Sequence, residues 1–306
     1  MTPNVLAIVL NWNGLDDTLA CLDSLTRLTY PRVTAVVVDN GSRVSPRARV
    51  HERHPTVTVL ENTRNLGYAE GNNVGIAHAL AAGADYVWVL NNDTIVAPSS
   101  LSALVDAAAR HPRAAAIGGK IVRADDPGIV WMTWGRVTWL QSLIAIVGQG
   151  ESAAGRFDEE RRVPWIPGCS ILFRADALRE IGPFDGTYFA YHEDVEWAAR
   201  ATHAGWEIWY TGAAEIWHAV HGSSGGAEHY GGFRKYLSAR NSVLYARQHG
   251  RPWHWALMAS AIVSTLPFQF VRRRLRGEQE GIYMKLRGWR DGLLGRPIPL
   301  RDLGLE

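Results

Sequence analysis

The 306-residue chain predicts an α/β fold, a mostly parallel central sheet flanked by helices, with a helical extension at the C-terminus. Three observations predict it. Short, continuous apolar runs recur through the first 120 residues, as strands buried on both faces require. Segments with apolar residues at helical spacing alternate with those runs, which is the β-α-β rhythm of a sheet wrapped by helices. Hydrophobic residues make up 47% of the chain against 20% charged, enough to build a core and too apolar for global disorder.

Residues 5–10 form the first strand, and Asn11-Trp12-Asn13-Gly14 ends it. Leu15, Leu19, Leu22 and Leu25 mark a helix around residues 16–27. The second strand, 33–38, stops at the turn cluster Asp39-Asn40-Gly41-Ser42. A third strand is expected at 57–60, a helix at 68–82 despite its glycines, and a fourth strand at 85–90 ending in Asn91-Asn92-Asp93. A helix at 101–110 and a strand at 114–122 follow. Residues 123–165 lack a steady period: a Trp-rich stretch with Trp131, Trp134 and Trp139 precedes a charged, mobile segment at 151–162. Regular pattern returns with a strand at 171–174, a helix at 175–181, a turn at 182–186, a helix at 192–205 and a strand at 206–210. A helix at 231–248 and a long apolar segment at 253–271 complete the chain, the latter running into Arg272-Arg273-Arg274-Leu275-Arg276.

The net charge of +2 argues against a nucleic-acid partner. It is unevenly spread: residues 251–306 carry 10 Lys/Arg against 5 Asp/Glu, the first 250 carry 22 against 25. Two cysteines, Cys21 and Cys169, cannot build a disulfide framework and form no zinc motif, so a reducing compartment is expected. The N-terminus has neither the basic flank nor the apolar length of a signal peptide. Most of the 13 tryptophans follow residue 130; core packing is their ordinary use, and a carbohydrate-facing or membrane-facing surface is the alternative.

In open α/β sheets ligands bind beyond the carboxyl ends of strands. Asn11, Asp39 and Asp93 each sit one to three residues past an apolar run. Asp93 is a natural hard-cation ligand there, since Mg²⁺ or Mn²⁺ takes one or two carboxylates plus phosphate oxygens and water; read alone, it equally caps the helix near Pro98. His192-Glu193-Asp194-Val195-Glu196 opens a helix, where the macrodipole offsets some charge repulsion. Phe184, Tyr188, Phe189 and Tyr191 crowd the approach, which makes a partly buried carboxylate and a candidate general base. His218 and His221 precede a Gly/Ser loop, and either a metal ligand or a structural histidine fits. The stretch from Arg64 to Gly75 suits an anion at a helix N-terminus but matches neither a phosphate-loop nor a dinucleotide fingerprint.

Taken in order, these motifs resemble the family 2 glycosyltransferases of GT-A fold, in particular the rhamnosyltransferase-like branch. The resemblance spans about residues 4–248. It is carried by Val38-Asp39-Asn40-Gly41-Ser42, Arg64-Asn65-Leu66-Gly67 running on to Gly75, Asn91-Asn92-Asp93, and Phe184-Asp185 with Phe189, Glu193-Asp194 and Arg200. His218 and Arg240-Asn241 follow. It implies an inverting transfer of a sugar from a nucleoside-diphosphate sugar to a hydroxyl acceptor, assisted by Mg²⁺ or Mn²⁺. It implies that Asp39 contacts the base, with Asn11 and Arg64 nearby and Asn65, Gly67, Asn72 and Asn92 around the donor. Asp93 then looks like the last acid of the metal motif and His218 like its second protein ligand. Asp194 looks like the base, beside Glu193, and Arg240 would hold the diphosphate. The same resemblance divides the chain into a donor-binding half at 1–122, an acceptor-binding and catalytic half at 123–248, and a basic helical tail at 249–306. Asn91 departs from the family's motif by replacing its first aspartate, which bears on metal affinity. dTDP-rhamnose is the favoured donor with UDP-sugars open, and the acceptor would be a cell-envelope glycan or a lipid-linked saccharide. A catalytically silent nucleotide-sugar scaffold and a transferase acting on a soluble natural product are the alternatives. A sugar-1-phosphate nucleotidyltransferase fits poorly, because Asn11-Trp12-Asn13-Gly14 stands where that class needs a Gly-rich basic loop.

Residues 255–271 carry no formal charge, and four arginines occupy the next five positions. A spanning helix needs about 20 apolar residues, and Ser260, Ser264, Thr265, Pro267 and Gln269 weaken that reading. An interfacial helix with arginines on anionic headgroups through 255–276, and a helix packed on the domain or on a homodimer partner, both fit. The protein is expected in the cytoplasm, with the membrane alternative placing it peripherally on the inner face.

Overall fold

A computed structural model describes residues 2–219, 232–275 and 280–306. His221, the Gly/Ser loop at 222–226 and Arg276 lie outside the described residues. The chain forms two compact units, one made of Met1–Gly135, Ile146–Phe189 and Glu193–Ser223, the other of Arg136–Ala145, Ala190–His192 and Ser224–Glu306.

The first unit opens with β1 (Val5–Asn11), α1 (Leu15–Leu25), β2 (Val33–Asp39), α2 (Arg47–Arg53), β3 (Thr58–Glu61), α3 (Gly67–Ala81), β4 (Tyr86–Asn91) and β5 (Thr94–Val96). α4 (Ser100–Arg110), β6 (Ala114–Arg123) and β7 (Val130–Met132) follow; β8 (Gly135–Val137) and β9 (Ile144–Ile146), which pair in a small separate sheet, belong mostly to the other unit. β10 (Glu160–Val163), β11 (Ser170–Arg174), α5 (Ala175–Ile181), α6 (Glu193–His203) and β12 (Glu207–His218) complete the first unit. The main sheet runs β10-β12-β6-β11-β4-β1-β2-β3, with β5 added to β12 and β7 to β6. β1, β2, β3 and β4 are parallel, as are β6 and β12; β11 runs antiparallel between β4 and β6. The parallel strands are apolar throughout because helices cover both faces: in β1, Val5, Ala7, Ile8 and Val9 are all fully buried.

α3 lies close on β1 because two positions facing it have no side chain. A Cβ on Gly75 would stand 2.6 Å from Ile8 Cγ2, and one on Gly71 2.8 Å from Leu10 Cδ1. The helix gives up propensity at these glycines, about 1 kcal/mol each, and gains close packing against the strand.

Three expectations are corrected. The charged segment at 151–162 is not featureless: β10 pairs antiparallel with β12, and Glu160 is bound by Arg110 and His111. Its signal was hidden because an edge strand exposes Arg161 and Arg162. The strand expected at 206–210 runs on to His218, through an irregular register between Thr211 and Glu215 that interrupts the alternation. Asp93 does not cap a helix: it precedes β5, and α4 begins after Ser99.

The second unit contains α7 (Phe233–His249), α8 (Pro252–Leu275) and α9 (Glu280–Leu293). Ala239, Val243 and Trp289 form its core, with Trp255, Ile262 and Leu266 packed against them. A Cβ on Gly288 would stand 2.3 Å from Tyr236 O, so α9 rests directly on the α7 backbone. Asn241 is fully buried and donates to Ala190 O at 2.9 Å and Tyr191 O at 2.8 Å. It thereby holds a turn in which Tyr191 and His192 both have φ near +70° (72° and 71°), a conformation costly for residues with a side chain.

Gly75→Val should lower stability by about 1–3 kcal/mol through overpacking against Ile8. Denaturant unfolding measures it, and an unchanged midpoint would show that the helix stands off the sheet.

Candidate active site

The register of the parallel strands gathers the polar residues at one edge of the sheet: Leu10 lies opposite Asn91 and Asn11 opposite Asp39. Asn11 Nδ2 donates to Asp39 Oδ1 at 2.8 Å and to Ser42 Oγ at 3.1 Å, while Asn11 Oδ1 accepts from Thr18 Oγ1 and Gly14 N. Asp39 and Asn11 are almost fully buried, so this knot fixes the mouth of the edge from within. Asn40 Nδ2 donates to Asn65 Oδ1 and Gly67 O, and Asn65 Oδ1 also accepts from Gly67 N. Asn72 Nδ2 donates to Tyr68 O, and Asn92 Nδ2 donates to Gly14 O at 3.0 Å. Asn65, Gly67 and Asn92 thus shape the loops, Asn72 bonds within α3 and leaves its buried Oδ1 without a partner, and Arg64 is exposed. A Cβ on Gly41 (φ +74°) would meet the Arg64 backbone, so those two loops touch through a glycine in the left-handed region.

β5 pairs with β12 so that Thr94 lies opposite His218, and Ala219 N donates to Asp93 O at 2.8 Å. That pairing sets His218 Nε2 3.4 Å from Asp93 Oδ1. Asn91 Nδ2 lies 3.5 Å from the same ring nitrogen. Burial raises the Asp93 carboxyl above its usual range, against the opposing pull of His218. Asn91 Oδ1 and His218 Nδ1 are buried without a hydrogen-bond partner. A carboxylate, an imidazole and an unengaged amide oxygen form a donor set that fits a divalent cation shared with diphosphate oxygens. Among the described residues no group of three or more His, Cys, Asp and Glu is placed to hold a metal ion, so the set rests on Asp93, His218 and the Asn91 amide oxygen. The Trp131 ring stacks 6.2 Å from the His218 ring.

Asp194 opens α6 from the other side. Its Oδ2 accepts from Gly168 N at 2.8 Å and its Oδ1 from Val195 N at 2.8 Å. Burial raises its pKa to about 6, against the lowering effect of those amide bonds. Glu193 is raised well above the ordinary carboxylate range by burial and by the Asp194 charge, and its Oε2 has no partner. Cys169 touches both centres: its carbonyl accepts from Asn91 N at 3.0 Å, and its thiol is pushed up by burial first and then by the charges of Asp93 and Asp194. Asp93 and Asp194 thus both lie within electrostatic reach of Cys169, while His218 is placed beside Asp93 and Asn91. Arg240 belongs to the second unit, where its Nη1 donates to Asn241 Oδ1 at 2.9 Å.

Sequence reasoning missed two contributors. Gly168 supplies the amide that orients Asp194, and the Tyr68 hydroxyl donates to Gly168 O at 2.6 Å. Asp17, in the first turn of α1, lies close enough to His218 for the imidazole charge to oppose the rise that burial imposes on it. Neither carries a sequence signal: Gly168 has no side chain, and Asp17 is one of two acids in the first turn of α1.

The family model described as "Glycosyltransferase like family 2" matches residues 3–251. The N-acetylglucosaminyl-diphospho-decaprenol L-rhamnosyltransferase of Mycobacterium tuberculosis is 34% identical, over 83% of this chain and 90% of that protein. Galactofuranosyltransferase GlfT1 of the same species is 29% identical, over 67% of this chain and 66% of that protein. Among solved structures, the mannosyltransferase PcManGT from Pyrobaculum calidifontis in complex with GDP-Man and Mn²⁺ has a TM-score of 0.60 at 18% identity, covering 96% of this chain and 88% of that one. GalNAc-T7 with UDP, GalNAc and Mn²⁺ has a TM-score of 0.61 at 15% identity, covering 97% and 59%. The likeness of fold confirms the GT-A architecture expected from the sequence.

The elevated Asp194 pKa carries a stability signature. An unfolded Asp titrates near 3.9, so the native state binds this proton more tightly. The stabilisation is complete below about pH 4 and lost as pH rises through about 6. The melting temperature of Asp194→Asn relative to the unaltered protein should therefore climb between those values and level off above them. A difference that stays flat with pH would contradict the burial of this carboxylate.

Proposed function

The chain belongs to glycosyltransferase family 2, and from that premise we propose that it transfers a sugar, rhamnose in preference, from a nucleoside-diphosphate donor to a hydroxyl of a lipid-linked saccharide, with inversion and with a divalent cation. The observation that carries the reading is the Asp93–His218 pair, 3.4 Å apart beside the unengaged Asn91 oxygen, with Asp194 held by the Gly168 amide. The acceptor class rests on the 34% identical relative, whose name specifies a saccharide on diphospho-decaprenol. A cell-envelope glycan is the product this implies, made on the cytoplasmic side where nucleotide sugars are used.

In this reading Asp39 and Asn11 position the nucleoside, backed by Ser42 and Thr18. Asn65, Gly67 and Asn92 hold the loops that enclose the donor, Asn72 bonds within α3, and Arg64 offers a cation at the rim of the loops. Asp93 and His218 hold the metal, with Mg²⁺ or Mn²⁺ suited to the donor set. When bound, the cation neutralises charge on the departing diphosphate. Asp194 takes the proton of the acceptor hydroxyl as that oxygen attacks the anomeric carbon. Its two amide donors keep the carboxylate aimed and sufficiently acidic to be ionised at neutral pH. Glu193 beside it is pushed toward its neutral form by burial and by the Asp194 charge, which limits the negative charge in the pocket.

Asp194→Asn should lower transfer by about 10²–10⁴-fold while donor affinity is retained. Turnover should also fall as pH drops through about 6, where this carboxylate takes up its proton. Full turnover in the variant removes it from the role of base. Asp93→Ala should weaken nucleotide-sugar binding in the presence of Mg²⁺ or Mn²⁺, with little change in its absence. A thermal-shift and hydrolysis panel of dTDP-rhamnose and UDP-sugars reads both the donor and the metal; equal affinity with and without metal rejects the cation site. Binding without any turnover across the panel would instead identify a silent nucleotide-sugar scaffold.

A further inference from the structure

α8 is apolar on both flanks, and its outer flank is bare. Inward, Trp255, Ile262 and Leu266 pack against Ala239, Val243 and Trp289. Outward, Trp253, Leu257, Phe268, Val271 and Leu275 are exposed at helical spacing, and Val263 is exposed beside them, Val263 at 74% and Phe268 at 70%. A contiguous apolar stripe on 24 residues, about 36 Å of helix, is a binding surface rather than ordinary surface scatter. α9 extends it, because Tyr283, Leu286 and Leu293 are exposed on one side of that helix and Tyr283 meets Phe270 of α8 edge-on, ring centroids 6.4 Å apart.

Three features say what covers the stripe. Residues 252–275 contain no Asp or Glu, and exposed arginines close both ends, Arg251 before the helix and Arg272 and Arg274 in its last turn. The hydroxyls on the helix are satisfied within it: Ser260 Oγ donates to Ala256 O at 2.8 Å, Ser264 Oγ to Ser260 O at 2.8 Å and Thr265 Oγ1 to Ala261 O at 2.6 Å. They bring no unmet hydrogen bond into an apolar medium. The arginines complement anionic headgroups, each worth a several-fold gain in affinity. By length and composition the helix could cross a bilayer. Trp255, Ile262 and Leu266 are packed on the second unit's core, however, so lipid cannot surround the helix.

We propose that the outer flank of α8, extended by α9, seats this protein in the interfacial layer of an anionic bilayer, lying in the surface without crossing it. The aliphatic and aromatic side chains sink below the headgroups and the flanking arginines bind lipid phosphates. The seat serves the lipid-linked acceptor of the proposed function and to that extent rests on it, but membrane binding is measured independently of transfer. Flotation of the full chain with phosphatidylcholine vesicles, with and without phosphatidylglycerol, tests it. The unaltered protein should float with the anionic vesicles and detach as salt rises. The pair Val263→Asp and Phe268→Asp should weaken flotation by about tenfold or more. Arg272→Glu with Arg274→Glu should weaken it by about tenfold on anionic vesicles alone. Nucleotide-sugar binding, retained in all variants, controls for folding. Failure of the unaltered protein to float, or flotation indifferent to the Val263/Phe268 pair, overturns the proposal. So does a concentration-dependent dimer that the same pair abolishes in protein that does not bind vesicles, which would assign the stripe to a second copy. Flotation without transfer to any lipid-linked acceptor leaves the seat standing and rejects the acceptor assignment.

Discussion

The short pairing of β5 with the end of β12 is the constraint on which the chemistry depends. It joins residues more than 120 positions apart in sequence and fixes the Asp93–His218 distance by backbone hydrogen bonds rather than by the two side chains. The parallel ladder beneath it places Asn91 and Asn11 on neighbouring strand ends, so the acid and imidazole are presented beside the Asn11–Asp39 knot. A carboxylate buried this deeply needs partners already in place, since desolvation otherwise favours its neutral form. The sheet supplies them before any ligand arrives.

Asp194 shows the same economy. Desolvation works to keep it protonated, and two backbone amides work to keep it ionised; the balance leaves it near neutrality, where a proton acceptor is useful. Neighbouring Glu193, equally buried but without a partner on Oε2, is pushed well up by burial and by the Asp194 charge. Both carboxyls of this helix turn are raised by burial, and the amide of Gly168 offsets that rise for Asp194.

The parallel sheet, the strand ends and the acids at Asp39, Asp93 and Asp194 were legible in the sequence because each rests on a local signal: an apolar run, a turn cluster, a charged helix start. What was hidden depends on contacts distant in sequence. β10 reads as charged loop because an edge strand needs only one buried side, here Val163. β12 reads as five residues because its register shifts after Thr211. Gly168 carries no side chain, so nothing in the sequence shows that its amide is what Asp194 requires. The polar residues at 65 and 92, suggested by motif order, prove to be internally bonded and act on the shape of the edge from behind, while Asn72 bonds within its own helix.

The stretch between β7 and β10 takes no part in the β5–β12 ladder or in the amide contacts of Asp194. Part of it braces β12 all the same: Ala153 and Phe157 pack with Val122 and with Trp217, next to His218, and Tyr210 Oη and Gly212 N donate to Phe157 O and Glu159 O. The stretch therefore divides into positions that brace the strand bearing His218 and must be kept, and exposed turns between them where insertions are tolerated.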